Sequence, residues 1–285
     1  MRTFLDCAPC FVRQALNAVR LATSDEGIHE EVLRRVLLMV GEMDMSQSPP
    51  AMGQQIHRLI REMVHNDDPY RKIKSNFNNV ALRLYPKLRK RIMESDDPLE
   101  TAVRLAIAGN IIDLGVNGSV NESDVGEAIG RCLEAHFDKT HLPLLKEAAE
   151  NAREILYLAD NAGEIVFDRL LIEQLPVEKV TVVVRGSPVI NDATMDDADV
   201  AGLTRIVEVV DNGSDAPGTI VQNCSEDFRR RFEAADMIIA KGQGNYETLN
   251  DEEKNIFFIL VVKCPTVAAD LGCGVGEMIL RNSES

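Results

Sequence analysis

The chain has 285 residues, 45% of them hydrophobic, enough for one large or two modest domains with a real core. Lys and Arg number 31 against 46 Asp and Glu, so the formal charge of −15 gives a surface field that repels nucleic acid and anionic membranes. Trp is absent and aromatics are 5% of the chain, which excludes an aromatic stacking platform for single strands.

Met1–Asp6 holds no signal-like apolar stretch and no later run is long enough to span a bilayer. A cytoplasmic protein without membrane or nucleic-acid partners is expected. Its six cysteines are scattered and expected to be thiols.

Residues 1–150 read as helical. Phe11, Ala15, Ala18, Val19 and Ala22 recur at three- and four-residue steps, as do Val32, Val36 and Val40, and Ile56, Leu59, Ile60 and Met63. Ser24-Asp25, Ser48-Pro49-Pro50, Asn66 to Pro69 and Asp96-Asp97-Pro98 punctuate the pattern, giving five to seven helices and no strand. Cys7 and Cys10 form a C-x-x-C at a helix start; with no second pair to complete a zinc site, structural thiols or an accessory site are expected. Gly109-Asn110 interrupts the apolar run Ala102 to Ala108. Asn110 and Asp113 share a helix face and need a partner, either in core hydrogen bonding or, as is expected here, in lining a cleft.

Residues 151–285 change rhythm. Short β-branched runs (155–159, 180–184, 206–210, 237–240 and 257–262) alternate with helical segments, which predicts a parallel sheet covered on both faces. Right-handed crossovers then bring every strand's C-terminal end to one rim. Each end is polar or Gly-rich: Asp160 to Glu164, Arg185-Gly186 leading to Asp192, Asp211 to Gly218, Lys241 to Glu247, and Lys263-Cys264-Pro265. Five such ends predict an active-site cleft.

Asp160, Asn161 and Asp192 offer hard oxygens without a His or Cys nearby, which suits Mg²⁺ or Mn²⁺. The competing reading makes Asp160-Asn161 a helix cap. Arg185, Lys241 and Lys263 are candidate phosphate clamps, or else partners of the many carboxylates. Gly242-Gln243-Gly244 can present backbone N–H groups, with Asn245 and Tyr246 as orienting donors. Glu164 or Asp192 would orient an attacking water, unless the Asp160 carboxylate itself attacks. The late glycine run Gly272, Gly274 and Gly276 imitates a methyltransferase or dinucleotide loop, but too few residues follow it for a βαβ unit.

Taken in order, DNAGE, RGSPVINDAT, NGSDAPGT, KGQGNYETL and VKCP, with AGNIIDLG and the C-x-x-C upstream, resemble the metal-dependent damage-control phosphatase family, formerly domain-of-unknown-function family 89. AGNIIDLG and the C-x-x-C are also similar to its C-x-x-C-bearing, mostly prokaryotic branch. The resemblance implies a helical N-terminal portion packed on a Rossmann-like α/β/α sandwich. It implies metal ligation by Asp160, Asn161 and Asp192, with Mn²⁺, Co²⁺, Ni²⁺ or Mg²⁺ as the ion. It also implies phosphate contacts from Gln243, Gly244, Asn245, Tyr246 and Lys263, and hydrolysis of phosphate monoesters of small metabolites such as sugar phosphates. Better-described relatives carry an acidic and a bulky apolar residue where this chain has Gln243 and Gly244. Two other readings stay open: a non-catalytic binder of phosphorylated metabolites, and an S-adenosylmethionine-dependent methyltransferase.

Overall fold

The computed structural model describes residues 1–111 and 122–284. Among the described residues seven helices come first: α1 (Cys7–Ala22), α2 (Glu26–Glu42), α3 (Pro49–Val64), α4 (Arg71–Met93), α5 (Pro98–Ile111), α6 (Glu122–Glu134) and α7 (Leu142–Asn151). Local chemistry sets their ends. Asp25 caps α2 by accepting from Gly27 N at 2.8 Å, and α3 starts on a proline and stops at His65 in the left-handed region.

The second half alternates: β1 (Ile155–Leu158), α8 (Glu164–Ile172), β2 (Val180–Val184), α9 (Met195–Val200), β3 (Glu208–Asp211), α10 (Glu226–Ala234), β4 (Met237–Lys241), α11 (Gly242–Leu249), β5 (Ile256–Val261), α12 (Pro265–Leu271) and β6 (Met278–Asn282). The sheet runs β3-β2-β1-β4-β5-β6; β1 to β5 are parallel and β6 pairs antiparallel with β5. Strand β6 was not foreseen, because Met278–Asn282 is short and follows a Gly-rich run.

Residue alternation divides the sheet's two faces. Ile155, Tyr157, Val182, Phe257 and Ile259 pack with α4, α5, α7 and α8. Leu156, Leu158, Val183, Phe258 and Leu260 pack with Phe228 and Phe232 of α10, Tyr246 of α11 and Val267 of α12. The result is a three-layer α/β/α arrangement. Helices α1, α2 and α3 enclose a separate smaller core built on Phe11, Val32, Val36 and Ile56.

The division expected at residue 150 separates two rhythms of secondary structure but not two cores. Phe77, Leu84, Leu105 and Ile107 of the helical half lie in one apolar cluster with Tyr157, Phe167 and Val182. Helix α5 also runs unbroken through Gly109 and Asn110. A Cβ at Gly109 would lie 3.3 Å from Glu164 Cα and 2.9 Å from the Phe167 ring, so the glycine permits close approach to α8 rather than breaking α5.

Candidate active site

Strand β1 has β2 on one side and β4 on the other, so the chain reverses direction of sheet growth there. Ligands of open α/β sheets bind outside the carboxyl ends of the strands at such a point. Asp160 and Asn161 follow β1, Gly242 follows β4, and the loop after β2 returns to pair with β1's end. Asn161 bridges Asp192, Ala193 N donates to Asp160 O at 2.8 Å, and Ala162 N donates to Asn191 O at 2.8 Å. Adjacent Asp160 and Asn161 and the sequence-distant Asp192 therefore sit side by side.

Two asparagines hold these carboxylates in the same way. Asn161 Nδ2 donates to Asp160 Oδ2 at 2.7 Å and to Glu164 Oε2 at 2.8 Å. Asn110 Nδ2, from α5, donates to the same two oxygens at 3.0 and 2.9 Å. Giving its amide protons inward turns the Asn161 carbonyl oxygen the other way. Arg185 Nε donates to Asp192 Oδ2 at 2.7 Å. Each ligand candidate is thus anchored through one atom, and Oδ1 of Asp160, Asn161 and Asp192 accepts no hydrogen bond from any described residue.

Burial and the neighbouring charges of Glu164 and Asp192 push the Asp160 carboxyl up to about 8, with Lys263 and Arg185 opposing. Asp192 is raised by burial against the pull of Arg185. Converging buried carboxylates short of positive charge, with three open oxygens, are a donor set that fits a hard divalent cation. No group of three His, Cys, Asp and Glu side chains gathers in metal-holding geometry among the described residues; one of the three donors here is a carboxamide.

The structure reassigns several expected roles. Glu164 is fully buried with Oε1 accepting from Lys241 Nζ at 2.7 Å and Oε2 from both asparagines, so it has no oxygen left for a water. Burial opposes its charge, but the Lys241 charge together with the hydrogen bonds from Lys241, Asn110 and Asn161 outweighs this and lowers its carboxyl. Lys241 is no phosphate clamp either. Its ammonium is buried, and its three protons go to Glu164, Asp168 and the Ala106 carbonyl. Asp168 also accepts from Tyr157 Oη at 2.9 Å.

Arg185 is 2% exposed, and beyond Asp192 it reaches Thr219 and Asn245. Asn245 is sealed between strand ends, donating to Lys241 O at 2.7 Å and Ala159 O at 3.3 Å. Tyr246 turns away, its ring edge-on to Phe258 and its hydroxyl on Asp270 at 2.5 Å. Gln243 accepts from Lys263 N at 3.0 Å and donates to Glu247 at 2.8 Å. Gly244 lies so near Pro217 that a Cβ would stand 2.4 Å from its carbonyl oxygen. Asn110 is a brace rather than an open cleft residue, and Asp113 lies outside the described residues.

What remains open toward a ligand is the first turn of α11 and Lys263. The α11 backbone starts at Gly242 with φ 79°, against the Asp160 carboxylate, and its first-turn N–H groups have no intrahelical acceptor. Lys263 is exposed, and its charge acts on Asp160. Sequence reasoning missed Asp168 and Tyr157, which read as ordinary helix and strand residues; an acidic residue inside the apolar run Ile165 to Ile172 was the available signal.

The glycine run 272–276 connects α12 to the antiparallel edge strand β6. A nucleotide-binding loop joins a strand to a following helix, so this run lacks that geometry. A groove of about 840 Å³ opens at the amino ends of β1 to β3, on the opposite rim. Its walls carry ion pairs such as Arg231–Glu208 at 2.8 Å, and the candidate site is not part of it.

A family model described as the damage-control phosphatase ARMT1-like domain matches residues 3–279. The chain is 36% identical to a protein of Archaeoglobus fulgidus named damage-control phosphatase, over 96% of this chain and 97% of that one. It is 35% identical to damage-control phosphatase PH1575 of Pyrococcus horikoshii, over 99% of both chains. The crystal structure of PH1575, titled a DUF89 family protein, superposes with a TM-score of 0.91 at 32% identity, covering 99% of each chain. On fold, sequence and the polar rim of its sheet, the chain belongs to the damage-control phosphatase family.

Proposed function

We propose that the chain is a metal-dependent phosphomonoesterase acting on small phosphorylated metabolites such as sugar phosphates, with its site at the β1–β4 crevice. The reading rests on one observation: three side chains, Asp160, Asn161 and Asp192, are each anchored by one atom and leave one oxygen open on the same rim. These residues would hold Mn²⁺, Mg²⁺, Co²⁺ or Ni²⁺, which when bound polarises a phosphoryl oxygen and a water.

The chain's own residues supply the remainder. First-turn N–H groups of α11 and the Lys263 ammonium neutralise charge on the phosphoryl oxygens, where a helix N-terminus and a lysine are complementary to an anion. Arg185 orients Asp192 and favours its charged form against the opposing effect of burial. Because Glu164 is fully engaged, the proton or the attacking oxygen is managed by Asp160 or Asp192, the two carboxylates with an open atom. The net charge of −15 suits a small anionic substrate recognised locally, not nucleic acid or an anionic membrane. No described helix is long and apolar enough to cross a membrane.

Asp160→Ala tests this directly. Phosphate release from a panel of sugar phosphates with Mn²⁺ should fall by on the order of a thousandfold or more. The melt without metal should hold or rise, because burial and like charges disfavour the native Asp160 carboxylate. Release that survives the substitution, or that ignores chelator, defeats the reading.

A further inference from the structure

The Asn110 carboxamide joins parts of the site that lie on strands that are not neighbours in the sheet. Its Nδ2 protons go to Asp160 Oδ2 at 3.0 Å and Glu164 Oε2 at 2.9 Å. Its Oδ1 accepts from Val261 N at 3.3 Å, at the last residue of β5 and two residues before Lys263. Asp160 follows β1, and β4 lies between β1 and β5 in the sheet. One side chain, 2% exposed and reaching in from α5, therefore spans the metal-ligand side and the phosphate side.

The arrangement behind Asn110 is built to hold it there. One turn earlier on α5, the Ala106 carbonyl accepts from Lys241 Nζ at 3.0 Å. Gly109 lets α5 approach α8 closely enough for that reach. Every polar atom of the carboxamide has a partner, so its orientation is not free: swapping oxygen and nitrogen would set an amide N–H against Val261 N–H and a carbonyl oxygen against two carboxylates.

We propose that Asn110 is a positioning residue that fixes the distance between the Asp160 carboxylate and the β5 end carrying Lys263, so that cation binding and phosphate-ester recognition both depend on it. The proposal rests on the phosphatase reading above, with Asp160 as a ligand. Asn110 itself touches neither ion nor ester. Its removal leaves Asp160 Oδ2 and Glu164 Oε2 with one donor each, and frees Val261 N.

The test uses the full chain. Asn110→Ala is titrated with Mn²⁺ alone by calorimetry, and its steady-state kinetics on a chromogenic phosphate monoester are measured at saturating Mn²⁺. The expected result is a Mn²⁺ dissociation constant raised on the order of tenfold, the scale for residues that orient metal ligands, together with a lower kcat/KM even when the metal is saturating. A merely structural asparagine would lower the melting temperature and leave the Mn²⁺ affinity at the parent value, which overturns the proposal. A weakened Mn²⁺ affinity with parent kcat/KM at saturation overturns the link to the Lys263 side. Should Asn110→Ala not fold, Asn110→Ser is read by the same criteria. Parent-like Mn²⁺ binding by Asp160→Ala would instead fail the underlying site assignment, so the two failures are distinguishable.

Discussion

At the scale of single residues, the site is arranged by atoms that point inward. Gly242 illustrates how little room is left. A Cβ there would stand 1.9 Å from Asp160 Oδ2, and its φ of 79° is one that side chains rarely adopt. Gly242→Ala should therefore cost about 1–2 kcal/mol of stability in urea melts. It should also cost on the order of a hundredfold in kcat/KM, since it displaces the Asp160 carboxylate. Parent-level activity would mean that Asp160 is not at the chemistry. The rim positions of Asp160, Asn161 and Lys263 were legible in the sequence because each closely follows a buried strand, and Asp192 was legible as part of the polar loop after β2. Lys241 and Glu164 misled for the same reason. They occupy strand and helix ends, but their charges pair with each other at 2.7 Å in the interior, and pairing across 77 residues leaves no mark on local pattern.

At the scale of elements, the helical layer grips the rim loops. Helix α3 sends Gln54, Arg58 and Arg61 to Asp215 in the loop after β3, with Arg58 Nη2 at 2.5 Å, and Arg61 Nη1 also reaches Pro188 O at 2.8 Å after β2. Asn78 of α4 donates to Asp197 at 2.8 Å and accepts from Gly163 N at 2.6 Å. Burial opposes the charge of Asp215, yet hydrogen bonds from Arg58 and Gln54 and the Arg58 charge outweigh it and hold the carboxyl at about 2. A folded-state value below the usual carboxylate range adds stability above about pH 4, and that increment disappears as pH falls toward 2. Asp215→Asn should lower stability by about 1 kcal/mol at pH 7, after discounting for solvent screening. Its denaturation curve should converge on the parent's as pH drops from about 4 to about 2. A gap that stays constant with pH would assign the effect to packing. Helix and strand positions were readable from their periodicities, while these cross-layer pairs were not, since Arg58 and Asp215 look like any exposed helix and loop residues.

At the scale of the whole molecule, three apolar clusters, one on each face of the sheet and one among α1–α3, serve one rim. The 1–150 and 151–285 segments differ in rhythm, which made the fold class plain. The shared cluster of Phe77, Leu105, Tyr157 and Phe167 was invisible, because which apolar helix faces which strand is settled only in three dimensions. The unforeseen β6 covers the edge of β5 and blunts it against pairing with another chain. The two deepest cations, Lys241 and Arg185, already have internal counter-ions, and this has a bearing on the order in which ligands arrive. With those cations already engaged, an incoming phosphate dianion meets nothing attractive except Lys263 and the α11 amides, and it comes up against Asp160, which has no ion-pair partner among the described residues. Inorganic phosphate should therefore bind too weakly to detect by calorimetry in chelated protein, and readily once Mn²⁺ is added. Reciprocity then demands that phosphate tighten Mn²⁺ by the same factor. Equal phosphate affinity with and without the ion would contradict it. Electrostatics alone would make this an enzyme that accepts its anion second.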